Sequence, residues 1–186
     1  MRIFNARNYL MKKYCLLPVI CSFFLLVVNP LEAQTGIIKK PGVTLGGNLV
    51  YSMPRGQFAD GFKFGIGGEV HAGVGWGSTY LIGTLGVTRY EKRSSVSNSI
   101  SAVPFTIGLR KYLLLKRLFI NGDLGSTSIK FGNSSTRAFT AGFGGGVRLL
   151  GLEVALYYNA MKNSYLETPK GYSNSVNVRV GWNFTL

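Results

Sequence analysis

The alternation in SVNVRVGWNFTL, residues 175–186, decides the fold. Every second residue of this stretch is apolar, in the order Val176, Val178, Val180, Trp182, Phe184 and Leu186. The residues between them are polar or glycine. Because successive side chains of a β-strand point to opposite faces, the stretch predicts a strand with one apolar face and one polar face.

The same alternation recurs in seven earlier segments of roughly ten residues each. They occupy residues 43–53, 62–76, 80–90, 101–112, 117–126, 138–149 and 152–160. A tilted strand needs about 9–11 residues to cross a bilayer, so these segments have the length of membrane-crossing strands. The sequence therefore predicts an all-β fold, an eight-stranded antiparallel up-and-down transmembrane β-barrel.

The connections between the predicted strands alternate in length. Those after the second, fourth and sixth strands are short and occupy residues 77–78, 113–116 and 150–151. Those after the first, third, fifth and seventh are longer and polar, at 54–61, 91–100, 127–137 and 161–173. This asymmetry is typical of outer-membrane barrels and predicts short periplasmic turns and long extracellular loops.

The two faces of the predicted strands differ in chemistry, which decides which face points outward. The polar face carries charges of both signs that can pair in a lumen, namely Glu69, His71, Arg110, Asp123, Arg148, Glu153 and Arg179. The apolar face carries aromatic residues near strand ends, as expected at the two lipid interfaces, namely Tyr51, Phe62, Trp76, Tyr158, Trp182 and Phe184. Because a charge facing lipid costs about 2–4 kcal/mol at the midplane, the apolar face is predicted to lie outside.

The N-terminal residues have the layout of a secretory signal peptide. Lys12 and Lys13 precede an apolar run at 14–28, and the small residue Ala33 lies at the predicted cleavage point. A retained anchor helix is the alternative, although about 20 apolar residues are normally needed to span a bilayer. The predicted organisation is a cleavable signal peptide over 1–33, a short periplasmic segment over 34–42 and an outer-membrane barrel over 43–186, with translation starting at Met1 or Met11.

Cysteine content and charge narrow the classes of partner. Both cysteines, Cys15 and Cys21, fall in the predicted signal peptide, so no disulfide is expected in the mature chain.

The sequence is basic, with 21 Lys and Arg against 7 Asp and Glu. Removing residues 1–33 takes away four basic residues and Glu32, which leaves 17 basic and six acidic residues. Because export argues against nucleic acid, the expected partner of this charge is an anionic membrane surface.

The stretch LGGNLVYSMPRGQFADGFKFGIGGEV, residues 45–70, has a glycine-rich strand, a Pro-x-Gly-x-Phe loop and a glycine-rich returning strand. It resembles the first hairpin of the small outer-membrane β-barrel domain family, a porin-like family related in layout to the OmpA transmembrane domain. The resemblance covers 43–186 and implies insertion into the outer membrane of a Gram-negative-type bacterium. It also implies that the barrel-assembly machinery reads the last strand, which here continues two residues past Phe184.

The predicted function is a structural, adhesive or surface-interaction role as a monomer, without catalysis, metal or cofactor. An eight-stranded barrel fills its interior with side chains, so no large open pore is expected. The loops are basic and are expected to contact outer-membrane lipid and lipopolysaccharide, through Arg55, Lys92, Arg93, Lys130, Arg137, Lys162 and Lys170.

Two alternatives to this function remain open at the level of sequence. The first is a secreted soluble β-barrel that binds a small apolar ligand in its interior. The second is a barrel enzyme acting on lipid A, with His71 as the base and Glu69 as its orienting acid. His71 is the only histidine of the chain, and as a member of a lumenal network it needs no further assumption.

Overall fold

The computed structural model describes residues 41–93, 99–114, 116–132, 134–162 and 172–186. The predicted signal peptide at 1–33 lies outside the described residues, as does Lys170. No helix within these ranges is long and apolar enough to cross a membrane.

The described chain forms one closed sheet of eight antiparallel strands. The elements are β1 (Pro41–Arg55), α1 (Gln57–Gly61), β2 (Phe62–Trp76), β3 (Thr79–Lys92), β4 (Ile100–Leu113), β5 (Leu118–Phe131), β6 (Ser134–Leu149), β7 (Leu152–Lys162) and β8 (Tyr172–Thr185). Each strand pairs with the next, and β8 pairs with β1 to close the barrel. The all-β, eight-stranded antiparallel barrel predicted from the alternation is therefore confirmed.

The strands of the barrel are staggered by ten residues over one circuit. The circuit follows directly paired residues from strand to strand: Leu152, Trp182, Gly47, Val70, Leu85, Phe105, Ser126, Phe139 and Lys162. It begins at Leu152 on β7 and returns to β7 at Lys162, which is ten residues further along. With strands about 4.8 Å apart and a rise of about 3.3 Å per residue, this stagger tilts the strands by about 40° from the barrel axis.

The outer surface of the barrel is apolar over most of its height. Large side chains such as Leu49, which is 75% exposed, alternate with buried residues along each strand. The interior is rich in hydroxyl, amide and charged side chains. This distribution is the reverse of that in a soluble barrel with an apolar ligand site inside.

The two rims of the barrel differ in their connections. At the turn rim, residues 77–78, 114–117 and 150–151 join successive strands. At the loop rim, the connections comprise residues 56–61, 93–99, 132–133 and 163–171. The predicted long loop at 127–137 is wrong, because Thr127 pairs with Ala138 and pairing continues to Phe131 and Ser134. Ile129 and Ala138 are buried in this extension, whereas Lys130 and Ser135 are exposed, so the hairpin keeps the alternation of a strand beyond the apolar wall.

The prediction that Phe62 faces lipid is also wrong. Phe62 is 4% exposed and lies inside the barrel, although Ile66 on the same alternation points outward. Three residue steps separate Phe62 from Gly65, whereas two steps separate their partners Lys92 and Tyr90 on β3. The extra residue is a β-bulge, and it turns the end of β2 so that Phe62 points inward.

Inward-facing glycines make room for tyrosine rings on the neighbouring strand. Gly144 pairs with Tyr157, and a Cβ on Gly144 would lie 2.7 Å from that ring. Gly75 stands in the same relation to Tyr80, with a separation of 2.6 Å. Each ring occupies the space next to its paired glycine. Any side chain at that glycine would collide with the ring.

Candidate functional site

A buried ion pair links two walls of the lumen. Arg110 on β4 places Nη1 2.9 Å from Oε2 of Glu153 on β7. The Tyr112 hydroxyl donates a hydrogen bond of 3.1 Å to Oε1 of the same carboxylate. Arg148 on β6 lies 3.9 Å from that oxygen and donates to Thr185 Oγ1 on β8 at 2.9 Å. Glu153 on β7 therefore joins side chains of β4, across the lumen, and of the neighbouring strand β6.

A second polar group surrounds Glu69 on β2. The Asn48 amide donates to Oε1 of Glu69 at 2.8 Å, and Arg179 Nη1 lies 3.4 Å from the same oxygen. The Arg179 guanidinium also lies over the ring of Tyr157, 3.7 Å from its centroid, where a cation–π interaction stabilises it. Asp123 on β5 accepts a hydrogen bond of 3.2 Å from Asn121.

His71 is buried beside the turn-rim end of β8. Its Nε2 lies 3.1 Å from the amide nitrogen of Asn183, and the hydroxyl of Thr44 donates to Oδ1 of the same asparagine. His71 is 3% exposed, and its edge lies against Gly46 of β1. Glu69, the proposed orienting acid, instead contacts Asn48 and Arg179. This arrangement holds the imidazole in place and buries it.

All seven side chains predicted for the lumenal network lie inside the barrel, in the groups described above. Sequence reasoning did not single out Asn48, Tyr112 and Asn183, which connect the charged residues. Each of them lies on the polar face of its strand, so the same alternation could have predicted that it points into the lumen. What alternation could not give is the partner of each charge, because that depends on the ten-residue stagger.

An apolar layer fills the lumen near the loop rim. Its buried members come from α1 and from β2 to β7, namely Phe58, Phe62, Tyr90, Ile100, Ala102, Ile129, Ala138 and Met161. The Phe58 ring lies 5.1 Å from that of Phe62 and 5.0 Å from that of Tyr90. Among the described residues, this layer is the apolar part of the lumen nearest the loop rim.

The outer side of the loop rim is strongly basic. Of the predicted loop cations, the described ones are all exposed, namely Arg55, Lys92, Arg93, Lys130, Arg137 and Lys162. Lys63 and Arg89 are exposed on the same rim and were missed because they lie within predicted strands. Ser101 pairs with both Arg89 and Lys130, so these two cations flank one serine on neighbouring strands. Among the described residues, the acidic ones on this rim are Asp60 and Glu91.

The remaining predicted lipid-interface aromatics are exposed on the outer wall. They are Tyr51, Trp76, Tyr158, Trp182 and Phe184. Trp76 ends β2 at the turn rim, and the rings of Trp182 and Phe184 lie 6.2 Å apart. Contact with a lipid interface stays a prediction for all five.

Similar folds occur among solved structures, although no protein-family model and no curated protein sequence matches this chain. The attachment invasion locus protein Ail of Yersinia pestis, in complex with the heparin analogue sucrose octasulfate, is 14% identical with a TM-score of 0.51. The match covers 80% of this chain and all of Ail.

Two further barrels are similar at lower scores. The N-terminal β-barrel domain of Pseudomonas aeruginosa OprF is 12% identical, with a TM-score of 0.46 over 76% of this chain and 97% of that domain. Neisserial surface protein A is 12% identical, with a TM-score of 0.45 over 78% of this chain and 96% of that protein. The likeness to Ail shows that this chain has the eight-stranded barrel fold found in outer-membrane proteins.

Proposed function

We propose that this protein is an integral outer-membrane β-barrel with a structural, adhesive or surface-interaction role. The observation that carries the proposal is the apolar outer wall around a polar lumen. In water such a wall would expose large aliphatic side chains on every strand. In a bilayer the same wall is solvated by lipid, and the closed sheet satisfies every strand's backbone hydrogen bonds internally.

The height of the apolar wall supports this placement. On β8 the outward side chains run from Val176 to Leu186, and Leu186 continues the pairing with Val43 on β1. Ten residue steps of about 3.3 Å, projected at a tilt of about 40°, give about 25 Å. That is about the height of the apolar band on outer-membrane barrels.

The turn rim is assigned to the periplasm and the loop rim to the outside. The first strand begins at the turn rim, with Pro41 of β1. The last strand ends at the same rim, with Thr185 of β8, as in barrels assembled from the periplasm. Export by the predicted signal peptide and insertion by the barrel-assembly machinery, which would read β8, are part of the same proposal. So is a monomeric state.

The exposed cations of the loop rim favour contact with lipopolysaccharide. Arg89, Lys130 and Arg137 lie on β3, β5 and β6, at the outer end of the apolar wall. Lipid phosphates would lie at that level, and each basic residue near an anionic surface contributes about 1 kcal/mol. Phosphate groups of lipopolysaccharide are therefore the proposed partner of this rim.

We include no catalytic role and no open pore in the proposal. His71 is enclosed by Asn183 and Gly46, and the carboxylate of Glu69 is occupied by Asn48 and Arg179. The apolar layer around Phe58 and Tyr90 crosses the lumen at the loop rim. These contacts favour a closed barrel that acts through its outer surfaces.

Fractionation of cells that express the full chain tests the location. We expect the protein in the outer-membrane fraction after carbonate washing, with faster gel migration when unheated because a folded barrel stays compact. A periplasmic, carbonate-soluble protein without a heat-dependent shift in migration would contradict the proposal and would favour the soluble barrel.

A further inference from the structure

An open groove crosses the apolar outer wall of the barrel from β4 to β7. It has a volume of about 810 Å³. Its sides are two neighbouring rows of outward-facing residues that run across the strands. The row nearer the loop rim comprises Val103, Val87, Gly68, Leu49 and Val180. The row nearer the turn rim comprises Leu85, Val70, Gly47, Trp182 and Leu152. We call this feature the outer groove.

The floor of the outer groove is backbone. Between the two rows, four strands each contribute one lumen-facing residue to the lining, namely Gly86, Glu69, Asn48 and Gly181. These four are paired from strand to strand, so they form a continuous strip of sheet below the two rows. The groove is therefore a gap between side chains on the outer wall, separate from the lumen.

Two outward-facing glycines widen the outer groove. Gly68 interrupts one row and Gly47 interrupts the other. A Cβ added at Gly68 would lie 3.6 Å from its nearest atom, and one added at Gly47 would lie 3.4 Å from its nearest atom. Packing within the barrel therefore does not require glycine at either position, unlike at the lumen-facing Gly144. The space that the missing side chains leave is open to a partner outside the barrel.

The slope and length of the outer groove match an acyl chain. Because its rows are perpendicular to strands tilted by about 40°, the groove descends obliquely from the loop rim at β4 towards the turn rim at β7. From Val103 on β4 to Leu49 on β1 it crosses three strand spacings of about 4.8 Å, or about 14 Å. The hydrocarbon core of a bilayer is about 30 Å thick, so the chains of one leaflet span about 15 Å.

The high end of the outer groove opens beside the cations of the loop rim. Arg89 follows Val87 by two residues on β3 and therefore points to the same side of the sheet. Ser101 stands in the same relation to Val103 on β4. Ser101 pairs with both Arg89 and Lys130, which places the two cations about 10 Å apart across the serine. A phosphate above the Ser101 hydroxyl is within reach of both long side chains, which are exposed.

We propose that the outer groove binds one acyl chain of a lipopolysaccharide molecule whose phosphate group is held by Arg89 and Lys130. This inference rests on the proposed function, which places the loop rim against lipopolysaccharide phosphates, and it adds a site for the lipid part of the same molecule. The cations lie at the loop-rim end of the groove, so the headgroup belongs to the outer leaflet. The barrel then binds a single lipid in a one-to-one complex in addition to attracting the surface as a whole.

Native mass spectrometry of the folded full chain in detergent micelles tests the site, because it counts bound lipid A molecules and measures their affinity. Lipid A is supplied in its phosphorylated form and in a dephosphorylated form that keeps all acyl chains. Gly68→Leu fills the groove. It is expected to weaken the binding of both forms by about tenfold, since van der Waals packing holds a chain in an apolar medium. The double variant Arg89→Gln and Lys130→Gln is expected to weaken only the phosphorylated form, by about thirtyfold at about 1 kcal/mol per cation.

Gly122→Leu is the matched control for the groove. Gly122 also points outward but does not line the groove, and a Cβ added there would lie 4.0 Å from its nearest atom. This substitution is expected to change the affinity for lipid A by less than about twofold, as surface substitutions usually do. Heat-dependent gel migration checks that each variant is folded before binding is measured.

The outcomes separate the groove from the basic rim. Equal weakening by Gly68→Leu and Gly122→Leu, or no weakening by Gly68→Leu, would overturn the acyl-chain site and leave phosphate binding at the rim in place. Equal affinity for the phosphorylated and dephosphorylated forms would remove the phosphate contact, and with it both proposals. Displacement of lipid A by an equal concentration of phosphatidylglycerol would overturn the assignment of the groove to lipopolysaccharide.

Discussion

Arg110 and Glu153 form an ion pair of 2.9 Å in the barrel interior, where their side chains are 5% and 3% exposed. They lie on β4 and β7, which are not neighbours in the sheet, so the pair bridges the lumen. The same carboxylate accepts the Tyr112 hydroxyl and attracts Arg148. Removing it would leave two guanidinium groups in the lumen without their carboxylate.

We therefore expect Glu153→Ala to lower the free energy of unfolding by about 3–5 kcal/mol, as breaking a buried ion pair usually does. Urea titration of the barrel in lipid vesicles measures the change. Glu91→Ala removes an exposed carboxylate at the loop rim and is expected to change stability by less than about 0.5 kcal/mol. Equal effects of the two substitutions would contradict the bridging role of Glu153.

Phe62→Ala is expected to destabilise the barrel by about 3–5 kcal/mol, since it leaves a cavity among buried aromatic rings. The matched control is Phe64→Ala, two residues further along β2, where the ring stacks at 6.0 Å on Tyr51 and is only partly buried. The urea midpoints of unfolding of the two variants are compared, and the lower midpoint identifies the phenylalanine that points into the barrel. A larger loss for Phe64→Ala would place the bulge elsewhere.

Gly144→Ala is expected to destabilise because the new methyl group would meet the carbonyl oxygen of Leu156 and the Tyr157 ring. Overpacking of this kind costs about 1–3 kcal/mol. Gly68→Ala is the control, since the nearest atom to its added Cβ would be 3.6 Å away. The unfolding free energies of both variants, measured in the same vesicles, should differ by most of that amount.

Leu49→Arg tests whether the apolar outer wall faces lipid. A charge near the bilayer midplane costs about 2–4 kcal/mol, so this variant should fold into vesicles with correspondingly lower stability. Leu114→Arg places the same charge in a turn-rim connection and should be close to neutral. A soluble barrel would show no difference between the two variants, because an arginine on its outer surface would be harmless at both positions.

The triple variant Arg89→Gln, Lys130→Gln and Arg137→Gln tests the basic rim. At about 1 kcal/mol per cation, its affinity for purified lipopolysaccharide should fall by about a hundredfold, and less at high salt. The control removes three cations at the other end of the barrel, with Lys111→Gln, Lys116→Gln and Arg117→Gln. Equal losses from the two triples, or unchanged binding of dephosphorylated lipopolysaccharide relative to the intact form, would argue against phosphate recognition at the loop rim.

Alternation alone predicted the strands, their order around the barrel and the direction of most side chains. It placed Arg179 inside and Trp182 outside because a strand has a strict period of two. It misplaced Phe62 because one inserted residue changes the phase without leaving a mark in composition. It also read residues 127–137 as a loop, since serine and threonine are common both in loops and in polar strand ends.

The contacts of the lumen were beyond the reach of the sequence for a different reason. Which carboxylate meets Arg110 depends on the ten-residue stagger, and the stagger is a property of all eight strand pairs together. The alternation within a single strand does not determine this stagger. The burial of Phe58 was hidden for the same reason, because a phenylalanine between two strands becomes a lumenal residue only once the barrel around it is closed.

The bulge in β2 has a consequence for how the protein can evolve. In the middle of a strand, a gain or loss of one residue would turn the rest of that strand inside out. Between Phe62 and Gly65 the pairing already steps by one residue, close to the outer end of the wall. Length variants can therefore be accommodated at this point while the stagger is kept, so the end of the β1–β2 hairpin can diversify independently of the apolar outer wall.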